Sequence, residues 1–229
     1  MTKNFLNRTI TSFFLLSILL FINFSHHIIF ILSILILGII VCIEANNIFL
    51  KLIVSNSSKS IAIKKNINFR YLALNVITFG YVFFIFCQYS YKIHSLESPS
   101  LFIYIVCICI FTDIGGYVFG KTIGGKKLTK ISPNKTISGT MGSFISCLLP
   151  FIIFLHLGYF GLEFNLNNIF FCFLISLISQ LGDLFISYLK RKAKIKDTGK
   201  ILPGHGGALD RVDGIIFAVP FSYFLLELI

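Results

Sequence analysis

Residues 179–214 bring acidic, basic and hydroxyl side chains together at helical spacing. Asp183 is followed by Ser187 four residues later, and by Lys190 and Arg191 seven and eight residues later. Residues at these intervals lie on one side of a helix, so we expect the four side chains to share a helical face. The two cations also suit the negative C-terminal end of that helix. The face could hold a metal ion and phosphate oxygens, and the structural alternative is a salt bridge from Asp183 to Lys190 or Arg191.

A glycine-rich segment follows this helix. Residues 203–207 read Pro-Gly-His-Gly-Gly, so the proline ends any helix, and glycines on both sides of His205 let the backbone approach a ligand closely. Asp210 and Asp213 come next, at positions i and i+3 on one helical side, with Arg211 between them. The spacing therefore predicts a loop whose backbone lies close to a ligand, followed by two carboxylates.

The acidic residues of the chain are concentrated around this segment. Four of the nine gather there: Asp183, Asp197, Asp210 and Asp213. Carboxylate oxygens suit magnesium, which takes one or two of them in proteins, keeps several waters and bridges substrate phosphates. Singly, Asp210 could be a helix N-cap and Asp213 could pair with Arg211. Because such roles do not explain the clustering, the pattern favours a magnesium and phosphate site.

A second polar region occupies residues 111–139. Asp113 lies within an apolar stretch, where an ionised carboxylate costs about 2.5–3.5 kcal/mol at the bilayer centre unless it is paired or hydrated. Gly115, Gly116 and Gly120 would let helices or a ligand approach the backbone. Cations and hydroxyls without neutralising acids follow: Lys126, Lys127, Ser132, Lys135 and Thr136. Such a segment suits a polyphosphate and anionic lipid headgroups equally well.

The composition indicates that membrane-spanning helices position these residues. Of 229 residues, 56% are hydrophobic and 13% are charged, which excludes a soluble enzyme and a disordered chain. Apolar runs too long for barrel strands predict an all-α, polytopic integral membrane protein with about seven transmembrane helices. The N-terminal run is interpreted as a retained span. The span containing Glu44 could instead be broken or re-entrant. The predicted spans are roughly 10–24, 28–50, 71–89, 100–119, 138–157, 167–189 and 213–229.

The basic residues set the predicted topology. Twenty stand against nine acidic residues, a net charge of +11, and all except Lys92 fall in alternate connections between spans. By the positive-inside rule those connections are cytoplasmic, and the N-terminus is cytoplasmic too. No basic domain interleaved with aromatic residues supports a nucleic-acid partner. The six cysteines lie in or beside apolar runs without a C-x-x-C pair, so neither disulfides nor zinc are indicated.

The residues of both polar regions resemble the phosphatidate cytidylyltransferase family, also called CDP-diacylglycerol synthases. The first resemblance runs from Ser187-Tyr-Leu-Lys190-Arg191 through Lys196-Asp197 and Pro203-Gly-His205-Gly-Gly207 to Asp210-Arg211-Val-Asp213. The second comprises Asp113, Gly116-Tyr117, Gly120-Lys121, Gly125-Lys126 and Ser132-Pro-Asn-Lys135-Thr136. Two positions depart from the pattern. Ser138 stands where the family usually has glutamate within Trp-Glu-Gly, and Gly214 where it commonly has serine.

The resemblance implies that CTP and phosphatidate react to give CDP-diacylglycerol and pyrophosphate, with Mg²⁺ as cofactor and a second cation left open. It implies that the metal ligands are Asp183, Asp210 and Asp213. The implied catalytic set is Lys190, Arg191, His205, Asp210 and Arg211. The implied substrate-binding set is Asp113, Ser132, Lys135, Thr136, Ser187, Lys196, Asp197, Gly204, Gly206 and Gly207.

The organisation that follows has two parts. Residues 1–100 form an N-terminal membrane region of about three spans. Residues 101–229 form a catalytic membrane region with two cytoplasmic substrate-binding loops, 120–137 and 190–212. We expect a bacterial-type plasma membrane with the active site facing the cytoplasm, and a homodimer is left open. Two alternatives stand beside this interpretation: a CTP-dependent enzyme acting on another lipid, and a transporter that uses Asp113, Asp183 and Glu44 as an ion path.

Overall fold

The chain folds almost entirely into helices. The computed structural model describes residues 3–56, 61–129, 132, 135–159, 162–199, 201 and 206–228, with side chains from Phe13 onward except at 54–56, 61–68 and 96. The α-helices are α1 (Lys3–Phe24), α2 (His27–Asn56), α3 (Ile61–Gly80), α4 (Gln88–Lys92), α5 (Pro99–Thr122), α6 (Ile137–Ser146), α7 (Leu148–His156), α8 (Leu166–Lys192), α9 (Leu209–Val212) and α10 (Ile215–Leu228). Two π-helical segments, Tyr81–Cys87 and Ile93–Glu97, continue α3 and α4. The prediction of an all-α fold is confirmed.

Five stretches of helix are long and apolar enough to cross a membrane. They are His27–Ile53, Phe69–Ser95, Pro99–Thr122, Ile137–His156 and Leu166–Lys192. These coincide with the five middle spans predicted from the sequence, as expected of an integral membrane protein. The first predicted span falls on α1, whose described apolar part is the shorter Phe13–Phe24, and the last falls on α10. A count of seven spans and a cytoplasmic N-terminus stay predictions.

Glu44 does not interrupt the helix in which it lies. Helix α2 runs without a break for 30 residues, although Glu44, Asn46 and Asn47 stand in its apolar sequence. The amide oxygen of Asn46 accepts a hydrogen bond from the Tyr71 hydroxyl on α3. Since intrahelical hydrogen bonds satisfy the backbone, a few polar side chains with partners are compatible with a continuous span. The broken or re-entrant alternative for 28–50 is therefore wrong.

The chain separates into two compact units. The first comprises Met1–Gln88 and Tyr188–Val212, and the second comprises Tyr89–Ser187 and Asp213–Ile229. In the first unit α2 packs against α1, α3 and the short helix α9. In the second unit α5 packs against α6, α7 and α10, with buried apolar residues such as Ile105, Ile108 and Phe151. The polar region 111–139 belongs to the second unit, whereas the region 179–214 is divided between the two units.

Glycines allow α5 and α6 to approach closely in the second unit. A Cβ atom on Gly115 would lie 2.7 Å from the Gly142 carbonyl oxygen, and one on Gly139 would lie 2.7 Å from that of Gly116. The Ser143 hydroxyl also donates a hydrogen bond of 2.8 Å to the backbone carbonyl of α5, at Thr112. Small residues of this kind let helices pack closely in membranes. Gly115 and Gly116 therefore serve helix contact, one of the two roles expected from the sequence.

Candidate active site

Three N–H donors converge on the carboxylate of Asp210 in the first unit. The Lys190 Nζ atom lies 2.7 Å from Asp210 Oδ1. Asp210 Oδ2 accepts hydrogen bonds from the backbone amides of Thr198 at 2.8 Å and Gly207 at 3.0 Å, and the Thr198 hydroxyl lies 3.0 Å away. An ionised carboxylate has about four acceptor positions, so these three donors fill most of its capacity. Asp210 thus ties the end of α8 to both sides of the glycine-rich segment.

The Asp210 pair is shielded from solvent. The exposed fractions of the Lys190 and Asp210 side chains are 12% and 7%. Burial raises the pKa of Asp210, but hydrogen bonds from Lys190, Thr198 and Gly207 outweigh it and leave this pKa below its ordinary value. The resulting stabilisation is present above the unfolded-state pKa of about 3.9 and is lost as pH falls through the lowered folded-state pKa. Asp210 is therefore ionised at neutral pH.

A second carboxylate, Glu44 of α2, contacts the same segment. Its side chain is 1% exposed and accepts hydrogen bonds from the Thr198 hydroxyl at 2.6 Å and from the backbone amides of Ala208 at 3.0 Å and Leu209 at 2.9 Å. The hydroxyl of Thr198 therefore lies between the carboxylates of Glu44 and Asp210. Neither Glu44 nor Thr198 is among the site residues predicted from the sequence. Acidity within an apolar run was the available signal for Glu44.

Glycine is required at two positions of the segment, for a different structural reason at each. Gly206 has a φ of +85°, a backbone conformation that residues other than glycine rarely adopt. At Gly207 the restriction is space, because an added Cβ would collide with the Thr198 hydroxyl and the Glu44 carboxylate. The remaining residues of the predicted set in this segment, Gly204 and His205, lie outside the described residues.

Several predicted phosphate-binding residues of the first unit are exposed. Arg191 and Lys196 present their side chains at the surface, as do Asp197 and Arg211. Arg211 follows Asp210 in the short helix α9, so the same turn that holds the buried carboxylate also carries an exposed guanidinium. Exposed guanidinium and ammonium groups can neutralise the oxygens of a soluble anionic ligand. The first unit therefore combines a fixed ion pair with accessible cations.

Asp183 pairs with a lysine from the other polar region. In the second unit the Lys135 Nζ atom lies 2.5 Å from Asp183 Oδ2, and the Ser187 hydroxyl donates to Asp183 Oδ1 at 3.2 Å. The Ser187 contact confirms that Asp183 and Ser187, two of the four residues predicted to share a helical face, meet on α8. The sequence suggested Lys190 or Arg191 as the cation for Asp183, and the structure shows a salt bridge with Lys135. The structure thus brings together two predicted site residues that are 48 positions apart in sequence.

A tight turn presents Lys135 within the second unit. Gly124 and Gly125 have positive φ values of 65° and 107°, and the Leu128 amide donates to the Lys135 carbonyl at 2.8 Å. The Lys135 amide in turn donates to the Ser132 carbonyl at 3.1 Å. The structure therefore brings Ser132 and Lys135 into one turn, as expected for a common loop.

Ser138, which departs from the family pattern, lies in the first turn of α6. The Thr136 hydroxyl caps the helix by accepting a hydrogen bond of 3.1 Å from the Gly139 amide. Ser138, which replaces the usual glutamate, donates from its hydroxyl to the Gly124 carbonyl and lies 3.0 Å from the Thr136 hydroxyl. Ser138 therefore joins the glycine turn to the helix cap.

The remaining predicted acids of the second unit lie on α5 and at the start of α10. Asp113 is exposed on α5, whereas Asp213 is 8% exposed and accepts a hydrogen bond of 2.9 Å from the Gly214 amide. A Cβ atom on Gly182 would lie 2.9 Å from the Asp213 carbonyl oxygen. One on Gly214 would lie 2.9 Å from the Ser179 carbonyl oxygen. This close backbone contact gives a reason for glycine, rather than the commoner serine, after Asp213.

Comparison with known proteins identifies the family. The model of the cytidylyltransferase family matches residues 47–229, which include both polar regions. The chain belongs to the cytidylyltransferase family. The family resemblance inferred from the sequence is therefore confirmed. Glu44 lies just outside the matched part of the chain.

Individual relatives of this chain are named phosphatidate cytidylyltransferase. It is 40% identical over 164 residues to the phosphatidate cytidylyltransferase of Bacillus subtilis strain 168, covering 70% of this chain and 61% of that protein. It is 46% identical over 125 residues to that of Rickettsia bellii, covering 52% of this chain and 54% of that protein. It is 37% identical over 189 residues to that of Staphylococcus haemolyticus, covering 79% and 70%. The chain thus spans less than two thirds of the length of the first two relatives.

The predicted metal ligands are divided between the units, with Asp210 in the first and Asp183 and Asp213 in the second. Asp183, Asp210 and Asp213 offer carboxylate oxygens, which suit magnesium. Lysine Nζ atoms neutralise two of these carboxylates, so a metal ion would compete with Lys135 and Lys190. Among the described residues, no group of three or more His, Cys, Asp or Glu side chains is arranged to hold a metal. Magnesium does not require such a group, since waters and substrate phosphates complete its coordination.

Replacing Lys135 with methionine tests the predicted phosphate-binding role of its ammonium group. The Lys135 and Asp183 side chains are 29% and 23% exposed, and ion pairs near the surface contribute only about 0–1 kcal/mol to stability. We therefore expect thermal unfolding in detergent to change little, while kcat/KM for CTP falls by about tenfold or more as one phosphate-binding cation is lost. An unchanged kcat/KM would restrict Lys135 to a structural role. Lys51→Met, which removes an exposed cation at the end of α2, is the matched control.

Proposed function

We propose that this protein transfers the cytidylyl group of CTP to phosphatidate, forming CDP-diacylglycerol and pyrophosphate. The observation that carries the proposal is the hydrogen-bonded group of Lys190, Thr198, Gly207 and Asp210. It closes the glycine-rich segment at both ends and leaves the cation of Arg211 beside it exposed. The family match and the shared name of the relatives support the same activity.

The proposed reaction needs charge neutralisation more than a strong base. A phosphatidate phosphate oxygen attacks the α-phosphorus of CTP and forms a new phosphoanhydride bond. The bond between the α-phosphorus and the bridging oxygen breaks, and its electron pair leaves with pyrophosphate. A phosphate monoester has a second pKa of about 6, so the nucleophile is largely ionised at neutral pH. Catalysis then depends on alignment of the two anionic substrates and on stabilisation of developing charge.

Each unit has residues that can align anionic substrates and neutralise their charge. In the first unit Arg191, Lys196 and Arg211 are exposed and can bind phosphate oxygens, and Asp210 orients Lys190. In the second unit Ser132, Lys135 and Thr136 belong to one turn and helix cap, and Asp183 orients Lys135. We assign both sets to substrate phosphates. The roles of His205 and Gly204 in orienting phosphate are proposals that rest on the resemblance.

Magnesium is part of the proposal. The resemblance assigns Asp183, Asp210 and Asp213 as its ligands, and the carboxylate chemistry is appropriate. When bound, the ion would neutralise the triphosphate oxygens of CTP. Without the ion, Asp183 and Asp210 orient Lys135 and Lys190, because these pairs are formed by protein groups alone.

We further propose that the protein resides in a bacterial plasma membrane with its polar regions facing the cytoplasm, where CTP is available. The distribution of basic residues supports this orientation. Phosphatidate would be supplied by the same bilayer, and a homodimer is proposed as the assembled form. Cysteines substituted for Lys126 and Lys92 and labelled in intact cells would test the orientation, since the two residues are predicted on opposite sides of the membrane.

A cytidylyl-transfer assay tests the function. The purified protein in nanodiscs would be incubated with Mg²⁺, phosphatidate and CTP labelled at its α-phosphate, and we expect the label in CDP-diacylglycerol. Polyprenyl phosphate and ether-linked phosphatidate would compete as acceptors in parallel samples. A folded sample that makes no CDP-lipid would contradict the proposal. The transporter alternative has no comparable support, since Glu44 and Asp183 are both engaged by protein donors.

A further inference from the structure

Glu44 is a buried carboxylate whose contacts join the membrane helix α2 to the segment that carries Asp210. Its side chain is 1% exposed. Its partners in the described part of the chain are the Thr198 hydroxyl and the amides of Ala208 and Leu209, at 2.6, 3.0 and 2.9 Å. These groups lie more than 150 positions away in sequence, on both sides of the glycine-rich segment. One side chain of α2 therefore holds both ends of that segment.

The hydrogen bonds from Thr198, Ala208 and Leu209 to Glu44 form an anchor that depends on the carboxylate. A buried carboxylate is strongly unfavourable unless hydrogen-bond donors compensate for lost hydration. The described residues provide no ion pair to Glu44, so the three donors are its compensation. Hydrogen bonds to a charged acceptor are about twice as strong as neutral ones. Loss of the carboxylate would leave the amides of Ala208 and Leu209 without this acceptor, and the segment would lose its attachment to α2.

The anchor reaches the proposed catalytic pair through Thr198. The Thr198 hydroxyl lies 2.6 Å from Glu44 Oε2 and 3.0 Å from Asp210 Oδ2. The amide of Thr198 also donates to Asp210, which in turn holds the Nζ atom of Lys190. We propose that Glu44 is a positioning residue, which fixes Thr198, Ala208 and Leu209 on α2 and thereby sets the position of Asp210 and Lys190. This inference rests on the proposed function, in which those two residues act in cytidylyl transfer.

The glycines facing Glu44 agree with this role. A Cβ atom on Gly199 would lie 3.0 Å from the Glu44 carboxyl carbon, and one on Gly207 would lie 2.7 Å from it. Both distances are shorter than ordinary contacts between carbon atoms. The segment therefore has glycine at the two points where its backbone passes the carboxylate, and Glu44 accounts for glycine at both.

Kinetics of Glu44 variants test the positioning role. In Glu44→Gln one amide donor of the segment faces a side-chain NH2 group, and in Glu44→Ala all three donors lose their acceptor. We expect kcat to fall by about tenfold in the first and by about 10²-fold in the second, as for misplaced catalytic groups. The KM for CTP should stay near the wild-type value, because the buried side chain does not reach a soluble substrate. Val41→Ala is the matched control, since Val41 is 2% exposed on α2 and forms no hydrogen bond through its side chain.

Hydrogen exchange provides a readout that does not depend on activity. In nanodiscs, peptides covering residues 206–212 should exchange faster in Glu44→Gln than in the wild type or in Val41→Ala. Unchanged exchange would overturn the anchor. Faster exchange with unchanged kcat would overturn the positioning role while leaving the anchor. A wild-type protein that makes no CDP-lipid would refute the proposed function, and with it a role in that reaction, whereas the exchange result would still decide the anchor.

Discussion

Replacing Asp210 with asparagine is expected to reduce cytidylyl transfer by about 10²–10³-fold or more while the protein still enters the membrane. Asparagine removes the charge that holds Lys190 at 2.7 Å. It also places an NH2 group against donors, because one oxygen of Asp210 accepts from the amides of both Thr198 and Gly207. Loss of one partner from a buried ion pair destabilises by up to about 3–5 kcal/mol, so the glycine-rich segment should loosen as well.

Activity would be measured per folded enzyme, at a temperature below the measured unfolding midpoint of each variant. Glu163→Gln is the matched control, because it removes one negative charge from an exposed residue between α7 and α8. It should retain wild-type kcat. If Asp210→Asn retained substantial activity, neither a metal-binding role nor the orientation of Lys190 by Asp210 could be essential to the reaction.

Local patterns of the sequence were sufficient to predict the main helices. Apolar runs located the five long helices, because a span needs about 20 apolar residues regardless of its neighbours. The four-residue spacing of Asp183 and Ser187 correctly predicted that their side chains meet. Helical periodicity fixes such contacts within one element, so no tertiary information is required.

Contacts between distant elements could not be predicted in the same way. Asp183 pairs with Lys135 because residues 166–187 of α8 and the turn before α6 belong to one unit, whereas the sequence offered Lys190 and Arg191 as nearer cations. Glu44 was weighed as a break in a span or part of an ion path, because a single acid in an apolar run gives no indication of its partner. Its partners lie more than 150 residues away and are mainly backbone amides, which have no signature in side-chain sequence.

Replacing Gly207 with alanine, which adds one methyl group, is expected to reduce both activity and stability. The added Cβ would lie 2.7 Å from the carboxyl carbon of Glu44 and would also collide with the Thr198 hydroxyl. The Gly207 backbone cannot easily move away, because its amide donates to Asp210 at 3.0 Å. We expect kcat to fall by about 10²-fold through displacement of the site, and overpacking to lower the free energy of unfolding by about 1–3 kcal/mol.

Gly80→Ala is the matched control for that substitution, since Gly80 has helical backbone angles and no atom within 4 Å of an added Cβ. It should retain activity and gain slightly in stability, because alanine favours helix over glycine by about 1 kcal/mol. Combining Gly207→Ala with Glu44→Ala removes one of the two colliding groups. The double variant should therefore be less destabilised than the sum of the single variants, and thermal unfolding of all four proteins measures this coupling. Strict additivity would show that Gly207 is required for a reason other than the space occupied by Glu44.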